Sequence, residues 1–365
     1  MTQNQKTILH VIDTTGPGGA ETVFISLADK LREQNYRSIA LIRGKGWVYE
    51  ELKRRNIETH IIECKGSFNI GFLRKLVALI HSEKVDIIQS HLLGSNIYCA
   101  MAGMLSRKPV FATFHGAVDV AKKERFIKLK CLILNLGVTK FIAVSKGLKN
   151  EIKASGLLNE AKTTVIYNGI DTALYYKRDS SSIRQALGLE KSDVLVGSLG
   201  NVRPAKSYDV LIKAAAIAIK EKPELHFIIA GDTKKEPLMS ELNKLITKEN
   251  IADKVHFIGF QDNSADFLGQ MDVFLLTSSS EGFSIATIEA IATGLPIIVT
   301  KCGGPEEIIT DKTSNSLVAI GNAAAIAIAL NLEPSKLVQA QHSNFTLKCV
   351  VDNYIQLYNN SNHLI

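Results

Sequence analysis

The recurrence of short β-branched runs separated by helix-length segments constrains this chain more than any other feature. The runs KTILHVID, YRSIALIR, ETHIIE, VDIIQS, PVFATF and TKFIAVS come first. Strands that alternate with crossover helices form a parallel sheet. After TTVIYNGID the rhythm restarts with DVLVGSLG, LHFIIAG, KVHFIGF, MDVFLLTSS and LPIIVT. Two sheets fit this pattern better than one very wide sheet, and 365 residues is a natural length for two domains. The polar stretch ALYYKRDSSSIRQALGLEKS lies between the two sets of runs, which places a boundary near residue 172. The expected fold class is therefore α/β, with one Rossmann-like domain over 1–172 and a second over 173–365 whose last helix is free to cross back onto the first. A ligand cleft is expected between them, at the carboxyl ends of the strands.

Composition narrows the classes of function. The five cysteines (Cys64, Cys99, Cys131, Cys302, Cys349) are scattered and contain no C-x-x-C pair, which fits reduced thiols better than disulfides or zinc ligation. MTQNQK runs straight into ILHVID without a signal-peptide pattern, and no uncharged apolar run approaches the roughly 20 residues that span a bilayer, so a cytoplasmic protein is expected. The net charge of +7 is uneven: about 25 Lys+Arg face about 15 Asp+Glu up to Asp171, roughly +10, leaving roughly −3 for the rest. A basic front half suits nucleic acid, anionic lipid or phosphorylated substrates. The absence of aromatic residues interleaved with the basic clusters counts against nucleic acid.

Four places can carry chemistry. In EGFSIATIEAIATGLP (281–296), Gly282 keeps Glu281 out of the helix, Ser284 or Phe283 starts it, and Gly294 and Pro296 stop it. The amides of Gly282, Phe283, Ser284, Ile285 and Ala286 would then point from a helix N-terminus, a favourable seat for phosphate. Glu289, over one turn inside, suits a ribose diol, whose two hydroxyls can both donate to one carboxylate, and Glu281 suits the hydroxyls of a sugar. Spacing alone leaves open that both glutamates merely complement a helix dipole. In GNVRPAKSYD (200–209), Arg203 and Lys206 sit at a strand-to-helix turn where a diphosphate would be gripped, with Ser207 expected as the helix N-cap. In TTGPGGAET (14–22), Gly16, Gly18 and Gly19 permit close backbone approach, but Glu21 stands where G-x-G-x-x-G needs its last glycine, so the dinucleotide fingerprint fails. In FATFHGAVD, His115 ends a strand and can hydrogen-bond a sugar hydroxyl or leaving oxygen, although a lone histidine is often structural. No D-x-D pair occurs, so no carboxylate-bound divalent metal and no cofactor is expected, and positive charge must come from Arg203, Lys206 and helix termini.

Taken in order, GGAE (18–21), FHG (114–116), VIYNGID (165–171), GNVRPAK (200–206), AGD (230–232), FIGF (257–260), EGFSIATIE (281–289) and GGPEE (303–307) resemble family 4 of the retaining glycosyltransferases. These are enzymes of GT-B fold in bacterial polysaccharide, lipopolysaccharide and glycolipid assembly. The resemblance spans nearly the whole chain. It implies a nucleotide-sugar donor, UDP- or GDP-linked, bound mainly by the rear domain without a metal and transferred with retention to a glycan or lipid-linked acceptor. Carried over by motif, Glu289 would hold the ribose, Glu281 the donor sugar, and Arg203 with Lys206 the diphosphate. Gly18 and Gly19 would approach the phosphates or acceptor, His115 the sugar, and the backbone at Gly231 and from Ile258 to Phe260 the base. Asn201 stands where the family often has arginine, Arg203 is shifted, and Ser207 replaces a glycine. The competing class is a GT-B protein that transfers nothing, such as a nucleotide-sugar epimerase or a binding module.

One further segment bears on partners. Read as a helix, DVAKKERFIKLKCLILNLG (119–137) carries an apolar stripe of Phe126, Leu129, Ile133 and Leu136 beside Lys122, Lys123, Arg125, Lys128 and Lys130. This combination suits an anionic membrane surface, and an ordinary crossover helix with its stripe in the core is the alternative.

Overall fold

The computed structural model describes residues 5–64, 69–116, 125–309, 315–338 and 345–361. The chain divides into two compact units, Met1–Gly169 with Leu347–Ile365, and Ile170–Thr346. Each is built on its own parallel sheet.

The first unit holds β1 (Thr7–Ile12), β2 (Arg37–Ile42), β3 (Glu58–Ile61), β4 (Ile87–His91), β5 (Val110–Phe114), β6 (Lys140–Ala143) and β7 (Thr163–Val165), in the order β3-β2-β1-β4-β5-β6-β7. Its inner strands β1, β4 and β5 are buried throughout, as a sheet covered on both faces requires. The C-terminal helix Leu347–Asn360 belongs to this unit: Tyr354 and Tyr358 pack with Ile8, Leu27, Ile87 and Phe111. Their hydroxyls are satisfied inside the core, Tyr358 donating to Gln89 Oε1 at 2.9 Å and Tyr354 pairing with Thr113 Oγ1 at 3.2 Å.

The second unit holds β8 (Val194–Leu199), β9 (Leu225–Ala230), β10 (Val255–Phe257), β11 (Val273–Leu276), β12 (Ile297–Thr300) and β13 (Leu317–Val318), in the order β10-β9-β8-β11-β12-β13. Its core gathers Phe227, Leu275 and Ile298 from the sheet and the alanine-rich helix Tyr208–Ala218. In both sheets the order reverses beside the first strand, at β1/β4 and at β8/β11. Loops leaving two strands at such a point diverge and open a crevice at their carboxyl ends.

The helix read over 119–137 is described from Arg125 onward and runs from Ile127 to Gly137, while Lys122 and Lys123 lie outside the described residues. It buries Ile127, Cys131 and Leu134. Of the named stripe, Phe126, Leu129 and Leu136 are exposed, joined by Leu132. The helix thus carries two apolar faces, one in the core and one in water.

Candidate active site

Within the second unit, Lys206 and Glu281 meet at the β8/β11 reversal. After β8 the chain turns through the single 3-10 turn Pro204–Lys206, and after β11 it runs through Ser278 to Glu281. Lys206 Nζ lies 2.8 Å from Glu281 Oε1, which also accepts from Ser278 Oγ at 2.7 Å. Burial opposes the ammonium charge, but Glu281 and Tyr208 outweigh it and raise the Lys206 pKa, so the lysine stays charged. An ammonium has three donors, and one goes to Glu281, which leaves two for a ligand oxygen. Glycines make this packing possible. A side chain on Gly200 (φ +157) would collide with the Lys206 stem, Cε lying 2.5 Å from its Cβ position, and one on Gly231 would collide with the Gly200 carbonyl. Arg203 is exposed, and its guanidinium has no partner among the described residues.

Ser207 does not cap the next helix. Its backbone is left-handed (φ 50, ψ 48), and its hydroxyl donates to the Pro204 carbonyl at 3.4 Å. The hydroxyl thus bonds back to the 3-10 turn, and no amide of the helix bonds it.

Ser284 does cap the helix Ile285–Ala292, its Oγ accepting from Thr287 N at 3.3 Å. This places Gly282 and Phe283 in the loop before the helix and Ile285 at its first position, next to the Lys206–Glu281 pair in the chain. The GGPEE turn supports that loop. Glu281 N donates to the Cys302 carbonyl at 2.9 Å, and a side chain on Gly304 would lie 2.7 Å from Phe283 Cα. The double glycine before a proline signals a turn, but its role beneath Glu281 is not readable from the sequence. Gly259 (φ +75) turns the chain between Ile258 and the exposed Phe260 after β10, and Gly231 N donates to the Gly259 carbonyl at 3.0 Å.

Glu289 is buried inside the helix, and burial pushes its pKa up while hydrogen bonds from Tyr175 and Ser264 oppose the shift. Neither partner carried a sequence signal, since they come from 114 and 25 residues away.

In the first unit, His115 directly follows β5 and His91 ends β4, with His91 Nδ1 and His115 Nε2 2.9 Å apart and the rings stacked. Burial lowers the His115 pKa to about 4, so its ring is a neutral imidazole, a hydrogen-bonding group and not a cation. His10, buried nearby against Phe24, is likewise held neutral, at about 3. Gly18 precedes the helix Gly19–Glu33, and the buried Glu21 carboxylate folds back over it where a side chain would otherwise stand. A carboxylate on that helix N-terminus favours a hydroxyl over a phosphate there. Among the described residues one group has metal-ligand spacing, Glu58, His60 and Glu83, but Arg37 already bridges both of its carboxylates at 2.7 Å.

Two family models match the chain, Glycosyltransferase Family 4 over residues 17–174 and Glycosyl transferases group 1 over 179–333. The chain belongs to these glycosyltransferases. Relatives include N-acetyl-alpha-D-glucosaminyl L-malate synthase of Bacillus anthracis, 29% identical over 71% of this glycosyltransferase and 68% of that protein. The lipopolysaccharide core biosynthesis glycosyltransferase LpsE of Rhizobium meliloti is 26% identical over 93% of this chain and 95% of its own. Among solved structures, Alr3699/HepE of Anabaena in complex with UDP and glucose superposes with a TM-score of 0.86 at 23% identity, covering 98% of this chain and 100% of that one. This agreement concerns the fold: two parallel-sheet, Rossmann-like domains of the GT-B type.

Proposed function

We propose that this glycosyltransferase is retaining and metal-independent and moves a sugar from a UDP- or GDP-linked donor to a glycan or lipid-linked acceptor of cell-surface polysaccharide or lipopolysaccharide. The observation that carries the reading is the charged Lys206 beside Glu281 at the β8/β11 reversal, followed in the chain by a Ser284-capped helix N-terminus. Lys206, with Arg203 and the helix amides, would offset the charge of the leaving diphosphate, Glu281 would hold donor-sugar hydroxyls, Glu289 the ribose, and neutral His115 a sugar hydroxyl. Solved relatives hold UDP with glucose, or UDP-glucose, and named relatives belong to lipopolysaccharide core and capsular polysaccharide biosynthesis. A thermal-shift screen of nucleotide sugars identifies the donor, because a ligand that binds only the native state raises its melting temperature. Proton NMR of the transfer product then reads its anomeric configuration. An inverted product overturns retention, and interconversion of free nucleotide sugar without an acceptor indicates an epimerase.

Chelation tests the metal. With side-chain cations and helix amides facing the diphosphate, activity in excess EDTA is expected to stay within about twofold of the untreated enzyme. Complete loss, restored by Mg²⁺ or Mn²⁺, would disprove metal independence.

A lipid-linked acceptor gives the exposed face of the helix Ile127–Gly137 a use. Leu132 and Leu136 are 54% and 66% exposed, Met104 and Leu105 at the end of the neighbouring helix Leu93–Ser106 are exposed too, and the exposed Arg125 and Lys128, with the partly exposed Lys130, precede Leu132 in the chain. No helix among the described residues is long and apolar enough to cross a membrane. Peripheral docking at the inner face of the cytoplasmic membrane follows as a proposal, each basic residue contributing about 1 kcal/mol near an anionic surface. Co-sedimentation is expected to show salt-sensitive binding to anionic vesicles, weak binding to neutral ones, and loss of binding in Leu132→Ser/Leu136→Ser. Equal binding to both vesicle types would end the docking proposal and leave the enzymatic one standing.

A further inference from the structure

The environment of Glu289 is lopsided. Tyr175 donates its hydroxyl to Glu289 Oε1 at 2.7 Å, Ser264 donates to the same oxygen at 3.1 Å, and the two hydroxyls are themselves 3.1 Å apart. No donor among the described residues bonds Oε2. Oε2 is not among the side-chain atoms sealed from solvent without a partner, so it keeps contact with water and is open to the hydroxyls of a ligand, while Oε1 is held from inside the protein. Here the protein pins one oxygen twice and leaves the other without a partner.

Tyr175 is well placed to do this. It follows the short 3-10 turn Thr172–Leu174, whose start is capped by Asp171 Oδ1 accepting from Ala173 N at 3.3 Å, so the backbone that carries the ring is held. Its phenol is mostly buried, and burial together with the Glu289 charge pushes its pKa further above the ordinary value, so it remains a donor at every working pH. Ser264 opens the helix Ser264–Gly269, whose N-cap Asn263 bonds Asp266 N at 3.1 Å. Two rigidly carried hydroxyls on one oxygen fix the plane of the carboxylate.

We infer that Tyr175, assisted by Ser264, is a positioning residue that orients the Glu289 carboxylate so that Oε2 faces the two ribose hydroxyls of the donor nucleotide. The inference rests on the reading of Glu289 as the ribose ligand and extends it to residues outside the helix that carries Glu289.

Calorimetry with nucleotide pairs that differ only in the ribose hydroxyls separates the two claims. UDP and GDP are each titrated beside their 2′,3′-dideoxy analogues, and melting curves confirm that every variant is folded. Wild type is expected to bind the ribonucleotide about ten- to a hundredfold more tightly than the dideoxy form, as for hydrogen bonds to a charged acceptor. In Tyr175→Phe the ribonucleotide is expected to weaken about tenfold while the dideoxy form binds as before, and Ser264→Ala is expected to shift the same ratio by less. Should Tyr175→Phe fail to fold, the narrowed ratio in Ser264→Ala carries the test. Undiminished discrimination in the folded variants, or equal weakening of both nucleotides, overturns the positioning role alone. Failure of wild type to discriminate, or to bind either ribonucleotide, overturns the ribose reading and this inference with it.

Discussion

Lys206→Ala is expected to lower kcat/KM for the donor by about ten- to a hundredfold, the worth of one charge-assisted contact to phosphate. The lysine is the charged group held at the β8/β11 reversal, and its ammonium keeps donors to spare beyond Glu281. The same substitution strips Glu281 of a partner, but Ser278 remains on its Oε1, so the melting temperature is expected to fall only modestly. Arg203→Ala is a cleaner comparison. Its side chain is exposed and unpaired among the described residues, so any loss of donor use there comes without a loss of stability. Wild-type kcat/KM in the lysine variant would remove Lys206 from the diphosphate site.

Glu289→Gln and Glu281→Ala are expected to separate binding from transfer. If Glu289 accepts from the ribose as proposed, Glu289→Gln should weaken UDP or GDP binding by about ten- to a hundredfold, whereas Glu281→Ala should leave nucleotide affinity near wild type and impair transfer. A second signature belongs to Glu289 alone. Burial raises its pKa in the folded protein, so the fold is penalised as pH rises past the ordinary carboxyl range of about 4.3 and the charged form takes over. The neutral glutamine escapes that penalty, and Glu289→Gln is expected to melt higher than wild type at neutral pH while binding nucleotide less well. Equal losses of nucleotide affinity in the two glutamate variants, read by calorimetry, would reject the division of roles.

The eleven runs named from the sequence appear as β1 to β6 and β8 to β12, while the three-residue β7, inside TTVIYNGID, and the two-residue β13 carry too few residues to stand out as runs. The helix after Glu281 begins where its serine predicts, with Ser284 accepting from Thr287 N. These features are local: a period of two, a period near 3.6 and a cap each lie within a dozen residues, so the backbone they produce is encoded where it forms. Even locally the reading failed where two elements abut. Ser207 has the chemistry of a cap, but its backbone is left-handed and its hydroxyl bonds back to the 3-10 turn ahead of it, which a residue-by-residue reading does not see. The helix Ile127–Gly137 shows a related limit, because periodicity finds apolar faces without saying which one meets the core. Cys131 and Leu134 are buried, and Leu129 and Leu136 are in water.

By itself the sequence determined that two parallel α/β sheets form, that Lys206 stands on a strand-to-helix turn, and that Glu281 and Glu289 frame a helix start. Only the tertiary structure decided who their partners are. Lys206 and Glu281 are 75 residues apart, and Tyr175 and Glu289 are 114 apart. What brings the first pair together is strand order: β8 lies against β11, three strands later in the chain, so the loops that leave their carboxyl ends are neighbours. Strand order follows from which hydrophobic faces pack against which helices across the whole unit, a many-body outcome that no local period encodes.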